Sequence, residues 1–200
     1  MRGYSRYFLI SLLVLSVLLI FVTPVQAEEI QILVDRAIYW NAQQVMHDSQ
    51  LSHPEDFAGE EEIQKRVTLV YNYTQKLNDT EYDDWDIFLD VYSIIEHETR
   101  WVNYLYLDEG TGFGVGSMQF STAGGLTEHQ KYELQSNVEL QIELAVEYYI
   151  MMLHTTNCRH RGIVAYNRGH KVDNPYQYIY FEKVIEIRKE VKEQLTQENL

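Results

Sequence analysis

The sequence predicts a mainly α-helical protein, and two observations support this class. Apolar residues recur at the three- and four-residue spacing of one helix face in successive segments of the chain. No segment has a convincing strand pattern, apart from a short β-hairpin that residues 102–116 could form. The chain has 200 residues, which is enough for one domain with a substantial core.

The first 27 residues have the features of a targeting segment. Arg2 and Arg6 precede an apolar run over 7–22, and Val25-Gln26-Ala27 is typical of a signal-peptide cleavage site. The run has 16 residues, whereas a membrane-spanning helix needs about 20. We therefore expect residues 1–27 to be a cleaved signal peptide, with the mature protein beginning near Glu28. An uncleaved membrane anchor is the alternative, and either reading predicts a secreted or cell-envelope protein.

The chain is strongly acidic, with 16 Lys and Arg residues against 30 Asp and Glu residues and a net charge of −14. Without residues 1–27, which hold two arginines and no acid, 14 basic residues face 30 acidic ones and the net charge is −16. This charge does not favour binding to nucleic acid or to anionic lipid. Membrane association is therefore expected only through residues 7–22, if they are not cleaved. The single cysteine, Cys158, excludes an internal disulfide.

Three helices are predicted in the first half of the chain, over 29–47, 60–77 and 85–98. A turn before Gly59 separates the first two, and the polar break Asn78-Asp79-Thr80 separates the second from the third. The glycine-rich segment that follows the third helix is predicted to be a loop.

Three more helices are predicted in the second half. Ser136-Asn137-Val138-Glu139 has the form of a capping box, which predicts the start of a strongly apolar helix that runs to Leu153. A shorter helix is expected over roughly 159–167. Pro175 then precedes a last amphipathic helix, whose apolar stripe runs from Tyr180 to Leu195.

The third helix ends with two acids, Glu96 and Glu98. Its apolar stripe consists of Phe88, Val91, Tyr92 and Ile95. Position 98 continues this stripe, whereas position 96 lies about 100° away, so we expect Glu98 to be buried and Glu96 to reach solvent. Desolvation and the negative end of the helix dipole would favour the protonated form of Glu98, which suits proton donation. The simpler alternative is a structural Glu98 that pairs with Arg100 or caps a loop.

Metal and nucleotide sites are not predicted. His97-Glu98 lacks the second histidine of a zinc-protease helix, because Trp101 occupies its position. Cys158, His160 and His170 do not have the spacing of a usual metal site, and nothing beside Cys158 supports a Cys–His nucleophile. We therefore expect no metal and no cofactor.

Four motifs in order suggest a family. They are Glu98-Thr99, Gly116-Ser117-Met118-Gln119, Asn137 at a helix start, and Ala165-Tyr166-Asn167-Arg168-Gly169. This set resembles the catalytic domain of lytic transglycosylases, which is related in fold to goose-type lysozyme. Members of that family carry Glu-Ser, Gly-Leu-Met-Gln, a helix-starting Asn and Ala-Tyr-Asn-x-Gly. The resemblance covers roughly 84–190, and Thr99 and Ser117 depart from the family residues Ser and Leu.

The resemblance implies a lysozyme-like helical domain over 84–200, with the short hairpin beside the cleft, and residues 28–83 as an N-terminal helical extension. It implies an exported enzyme that cleaves peptidoglycan glycan strands, with Glu98 as general acid and base. The implied substrate-binding residues are Thr99, Ser117, Met118, Gln119, Asn137, Tyr166 and Asn167. Aromatic side chains that could face the sugars are Trp101, Tyr104, Tyr106, Tyr166 and Tyr176. Tyr166 and Asn167 are therefore expected to fold back beside Glu98.

Two other functions remain open from the sequence. A lysozyme-type hydrolase would cleave the same bond with a second carboxylate, for which Asp108 and Glu109 are the nearest candidates. A non-catalytic glycan-binding or scaffold protein would keep the cleft without the reaction. The products released from peptidoglycan distinguish all three.

Overall fold

A computed structural model describes the chain over 24–47, 58–104, 112–119, 128–168 and 176–197. Within these ranges the fold is mainly α, as predicted. The helices are α1 (Pro24–His47), α2 (Glu60–Leu77), α3 (Asp84–Thr99), α4 (Glu128–Ser136), α5 (Val138–Thr156), α6 (Arg159–Arg168) and α7 (Tyr176–Gln197). The strands are β1 (Gly112–Phe113) and β2 (Met118–Gln119).

The six predicted helices correspond to α1, α2, α3, α5, α6 and α7, and α4 was missed. Its sequence is largely polar, so it lacks the apolar periodicity that marks the other helices. The predicted capping box is also wrong by one residue. Asn137 is the N-cap of α5 and accepts a 3.0 Å hydrogen bond from the amide of Leu140, whereas the Ser136 hydroxyl donates to the carbonyls of Tyr132 and Glu133.

The N-terminal helix α1 starts at Pro24, before the predicted mature start at Glu28. The apolar run over 7–22, the basis of the signal-peptide prediction, lies outside the described residues. None of the helices in the described ranges is both long enough and apolar enough to cross a membrane.

The central element of the fold is α3. Every residue from 87 to 96 is buried, so this helix has no solvent-facing side along its middle. Helices from both halves of the chain pack around it, and a single hydrophobic cluster extends from Ile32 in α1 to Leu195 in α7. The predicted N-terminal extension, residues 28–83, therefore contributes to the same core as the rest of the described chain.

The first half of α3 is held by a buried ion cluster around Asp90, which has no exposed surface. Arg159 donates two hydrogen bonds of 2.6 and 2.8 Å to its carboxylate, and the hydroxyl of Tyr149 donates a third of 2.8 Å. The guanidinium of Arg188 lies 2.7 Å from the same carboxylate. Because these partners come from α5, α6 and α7, the cluster ties three helices to α3.

The two strands form a minimal antiparallel pair after α3. Gly112 lies opposite Gln119, and Phe113 lies opposite Met118. The four residues between them, 114–117, form a tight turn closed by a 3.2 Å bond from the Ser117 amide to the Gly114 carbonyl. The first strand lies within the segment where a hairpin was expected, and the second lies just beyond it.

Candidate active site at the end of α3

The helix α3 ends in an unusual backbone. It stops at Thr99, and the next two residues, Arg100 and Trp101, both have left-handed conformations with φ of 50° and 67°. The amide of Arg100 still reaches the Glu96 carbonyl at 3.3 Å, and the amide of Val102 reaches the Thr99 carbonyl at 3.1 Å. The chain therefore turns sharply away from the helix just after the two acids.

The prediction that Glu96 reaches solvent is wrong. Glu96 is 1% exposed, and Arg36 of α1 donates three hydrogen bonds of 2.6 to 3.1 Å to its two carboxylate oxygens. Burial raises the pKa of the Glu96 carboxyl, and the bonds from Arg36 oppose that rise. Arg36 also binds Glu190 of α7 at 2.8 Å. Glu96 is therefore a structural acid that joins α1, α3 and α7.

Glu98, which was expected on the buried stripe, is half-buried. Its side chain lies at the rim of the core beside α6 and α7. The amide group of Asn167 donates a hydrogen bond to one Glu98 oxygen at 3.3 Å. Glu98 thus combines a half-buried carboxyl with a position in the last turn of a helix.

Two buried tyrosines lie next to Glu98. Tyr166 is 7% exposed, and burial together with the charge of Glu98 raises its pKa well above the ordinary value. The same two causes raise the pKa of Tyr180, which also packs against the ring of His97 with 5.0 Å between ring centroids. Both phenols therefore remain protonated at neutral pH. The predicted placement of Tyr166 and Asn167 beside Glu98 is confirmed.

The two hydroxyl groups are used differently. Tyr166 donates a 2.8 Å hydrogen bond to the carbonyl of Gly116, so it holds the turn between the strands. The Tyr180 hydroxyl is buried close to the Glu98 carboxyl, yet within the described part of the chain it makes no hydrogen bond of ordinary geometry. Tyr180 was not among the predicted site residues. Its position at the start of an apolar stripe made it look like ordinary packing.

The turn over 114–117 is attached to the end of α3 by Thr99. Thr99 is 2% exposed, and its hydroxyl donates to the carbonyls of Val115 and Ile95. The turn is further held by a 2.7 Å bond from the Gly114 amide to the Tyr104 carbonyl. The buried hydroxyl of Thr99 therefore positions the turn.

A buried amide, Gln141, completes the support of this turn and was missed in the sequence. It has no exposed surface, accepts a 3.3 Å bond from the Val115 amide and donates two 2.9 Å bonds to the carbonyls of Leu134 and Gln135. Gly114 has a φ of 78°, and a Cβ there would lie 2.7 Å from the Gln141 side-chain oxygen. The signal in the sequence was a glutamine within a strongly apolar helix, where a polar residue needs buried partners.

The remaining predicted substrate contacts lie in the turn, in β2 and at the start of α5. Ser117 is half-buried in the turn with a φ of 51°. Met118 and Gln119 are the two residues of β2, and the structure describes their backbone but not their side chains. Asn137 is exposed and caps α5, so its side chain has a structural use.

Two of the aromatic residues expected to face sugars, Trp101 and Tyr104, are buried. Trp101 is fully buried and packs on Tyr92 with 5.0 Å between ring centroids, so its ring is not open to a sugar as expected. Tyr104 is 9% exposed, and its hydroxyl accepts a 3.0 Å bond from Gln44. Tyr106 and the Tyr176 side chain lie outside the described residues, as do Asp108 and Glu109.

In the parts of the chain that the structure covers, no group of three or more His, Cys, Asp or Glu side chains is arranged to hold a metal ion. Cys158 is a free, half-buried thiol. The end of α3 therefore brings together a half-buried carboxyl, an amide donor and two protonated phenols.

Comparisons of the chain with protein-family models, with curated proteins and with solved structures find no match.

Proposed function

We propose that this protein is an exported peptidoglycan lytic transglycosylase in which Glu98 is the general acid and base. Glu98 protonates the oxygen that links N-acetylmuramic acid to N-acetylglucosamine, and the bond to the muramoyl carbon breaks. The muramoyl 6-hydroxyl attacks the resulting oxocarbenium-like centre and returns its proton to Glu98. The product carries a 1,6-anhydro ring, and no water is consumed.

One observation carries the proposal. Side chains from two of the family-like motifs, 69 residues apart in sequence, are joined by the hydrogen bond from Asn167 to Glu98. The third motif is attached to both, because its turn accepts hydrogen bonds from Thr99 and Tyr166. Motifs that are separate in sequence and unrelated in function have no reason to converge on one half-exposed carboxyl. This convergence supports a common site and favours a lysozyme-like arrangement with the β1–β2 hairpin beside a glycan cleft.

The environment of Glu98 suits both halves of this reaction. The helix end disfavours its charged form, which assists proton donation in the first half. The Asn167 amide hydrogen-bonds the carboxyl and would stabilise the carboxylate left after proton transfer. In this reaction Ser117, Met118 and Gln119 are the proposed sugar contacts on the hairpin, and the protonated phenol of Tyr180 is available to hydrogen-bond the carboxylate or the ring.

Mass analysis of the fragments released from purified sacculi tests the proposal. A lytic transglycosylase leaves 1,6-anhydromuramoyl ends, which are lighter by one water than the reducing ends left by a hydrolase. Reducing ends would instead establish a lysozyme-type hydrolase that uses Glu98 with a second carboxylate. Binding of glycan strands without release of fragments would establish a non-catalytic scaffold.

A further inference from the structure

The exit from α3 is strained. Left-handed backbone costs about 1–2 kcal/mol for each residue that carries a Cβ, and here two such residues, Arg100 and Trp101, follow each other. Neither is glycine or asparagine, the residues that usually tolerate this conformation. Contacts from elsewhere must therefore hold the exit in place.

Those contacts come from α1 and α2. Asn41 of α1 donates a 3.4 Å hydrogen bond to the carbonyl of Arg100, and Arg66 of α2 donates a short hydrogen bond to the carbonyl of Trp101. The guanidinium of Arg100 lies 4.1 Å from the centre of the Trp40 ring. Both carbonyls of the left-handed pair are thus bound by side chains from the N-terminal helices.

Burial of the polar groups that make these contacts lowers the stability of the fold. Arg66 is 6% exposed, and burial lowers its pKa although Glu62 binds its guanidinium at 3.1 Å. Within the described chain, two further buried atoms of the exit, Asn41 Oδ1 and Trp101 Nε1, have no hydrogen-bond partner. Each such group destabilises a fold by about 1–3 kcal/mol. The contacts to the exit therefore hold its left-handed backbone, although they lower the stability of the fold.

We infer that Asn41 and Arg66, which we call the brace, are positioning residues for the carboxyl of Glu98. The brace holds the left-handed exit, and the exit in turn fixes the last helical turn, which carries Glu98 two residues before Arg100. This inference rests on the proposed function of Glu98. It assigns a catalytic task to residues 28–83, the part of the chain that lies outside the family resemblance.

The expected consequence is a loss of rate rather than of binding. Without the brace the exit relaxes and the last turn of α3 frays, which displaces the Glu98 carboxyl. The hairpin with the sugar contacts loses its bond to Thr99 but is still held by Tyr166 and Gln141. A displacement of about 1 Å lowers turnover by about 10²-fold. We therefore expect Arg66→Gln to lower kcat by about 10²-fold with little change in KM, and Arg66→Lys, which keeps a donor, to recover part of the loss.

The control is a partly buried arginine of α7 that binds the other half of α3. Arg188 is 12% exposed and pairs with Asp86 and Asp90 in the first half of α3. Arg188→Gln removes a comparable ion pair without touching the exit. Both variants are assayed on sacculi at a temperature where unfolding curves show each to be folded. Asn41→Ala, which removes a neutral side chain, repeats the test if Arg66→Gln does not fold.

Hydrogen exchange of the Arg100 and Val102 amides provides a readout that does not depend on activity. The inference holds if Arg66→Gln loses both protection and kcat while Arg188→Gln keeps them. It is overturned if the two amides stay protected in Arg66→Gln, or if kcat falls equally in both variants. If the wild type releases no fragments but Arg66→Gln still loses protection, the proposed function fails and the brace geometry stands.

Discussion

The two halves of α3 contain buried acids in contrasting settings. In the first half, Asp90 has no exposed surface and is matched by two arginines and a tyrosine hydroxyl. In the second half, Glu96 is matched by Arg36 in the same way, whereas Glu98, two residues later, is half-buried beside an amide and two phenols. One helix therefore carries structural acids along its middle and a different kind of acid at its end.

The difference shows how the surroundings of a carboxyl decide its use. An acid that is buried and bound to a guanidinium cannot give up this partner without leaving an unpaired charge in the core. An acid at a helix end, partly open to solvent and beside neutral donors, is able to change its protonation state at little structural cost. The same contrast separates residues whose replacement should lower stability from residues whose replacement should lower turnover.

The largest effect is expected for Glu98→Gln. The amide keeps the shape of the side chain but lacks the proton that acid–base catalysis needs, so turnover on sacculi should fall by about 10² to 10⁴-fold. Folding should be retained, because a half-exposed side chain is replaced by one of equal size. The measurement is the rate of fragment release together with a thermal unfolding curve.

Glu143→Gln is a suitable control for this variant, since Glu143 is 30% exposed and pairs with Lys76 on the surface. It should keep wild-type turnover. If Glu98→Gln digests sacculi as fast as Glu143→Gln, the assignment of Glu98 is wrong.

Glu96→Gln should have the opposite profile. Removing one partner of a buried ion pair destabilises a protein by about 3–5 kcal/mol. We expect a value near the lower end, because Glu190 continues to neutralise Arg36. Chemical denaturation gives the free energy of unfolding. A stability within about 0.5 kcal/mol of wild type, the range of ordinary surface substitutions, would show that Glu96 is not the structural acid described above.

Two further variants each replace a tyrosine that packs beside one half of α3. Tyr166→Phe removes the hydrogen bond to the Gly116 carbonyl and should cost about 1–2 kcal/mol of stability. It should also lower turnover, because the turn beside Glu98 loses one of the hydrogen bonds that hold it. Tyr149→Phe removes the hydrogen bond to Asp90 and should cost a similar amount of stability while turnover is retained. Equal losses of turnover in the two variants would contradict this account of the turn.

The smallest effect concerns pH. Burial and the charges of Lys183 and Arg100 lower the pKa of His97 below its ordinary value of 6.5. The unfolded chain therefore binds a proton at a higher pH than the folded one, so the contribution of His97 to stability is complete above pH 6.5 and declines as the pH falls below it. Thermal unfolding between pH 7.5 and 5 should show a shallower decline for His97→Gln than for the wild type. Parallel curves would exclude this contribution.

The helices were largely predictable because each depends on local signals. Apolar spacing and turn residues predicted six helices to within a few residues, and only α4, which is polar, was missed. The motifs around Glu98, Tyr166 and Asn167 were also recognised in the sequence, and the structure brings these three residues together. Local patterns suffice where neighbouring residues in the chain determine the outcome.

The roles of the two acids could not be predicted in this way. The stripe argument assumed that α3 has one buried face, but ten consecutive residues of this helix, 87–96, are buried because other helices surround it. The partner that allows Glu96 to be buried, Arg36, lies 60 residues earlier in the chain. Spacing along one helix does not report which distant side chains neutralise a charge.

The helical class, the approximate helix bounds and Glu98 as the candidate acid could all be inferred from the sequence. The tertiary structure alone decided that Glu96 is buried, that Thr99 and Gln141 support the turn over 114–117, and that Asn41 and Arg66 bind the strained exit of α3. The physical reason is that periodicity and capping act between neighbours in the chain. Desolvation and charge pairing depend on every group within a few ångströms, whatever its position in the sequence.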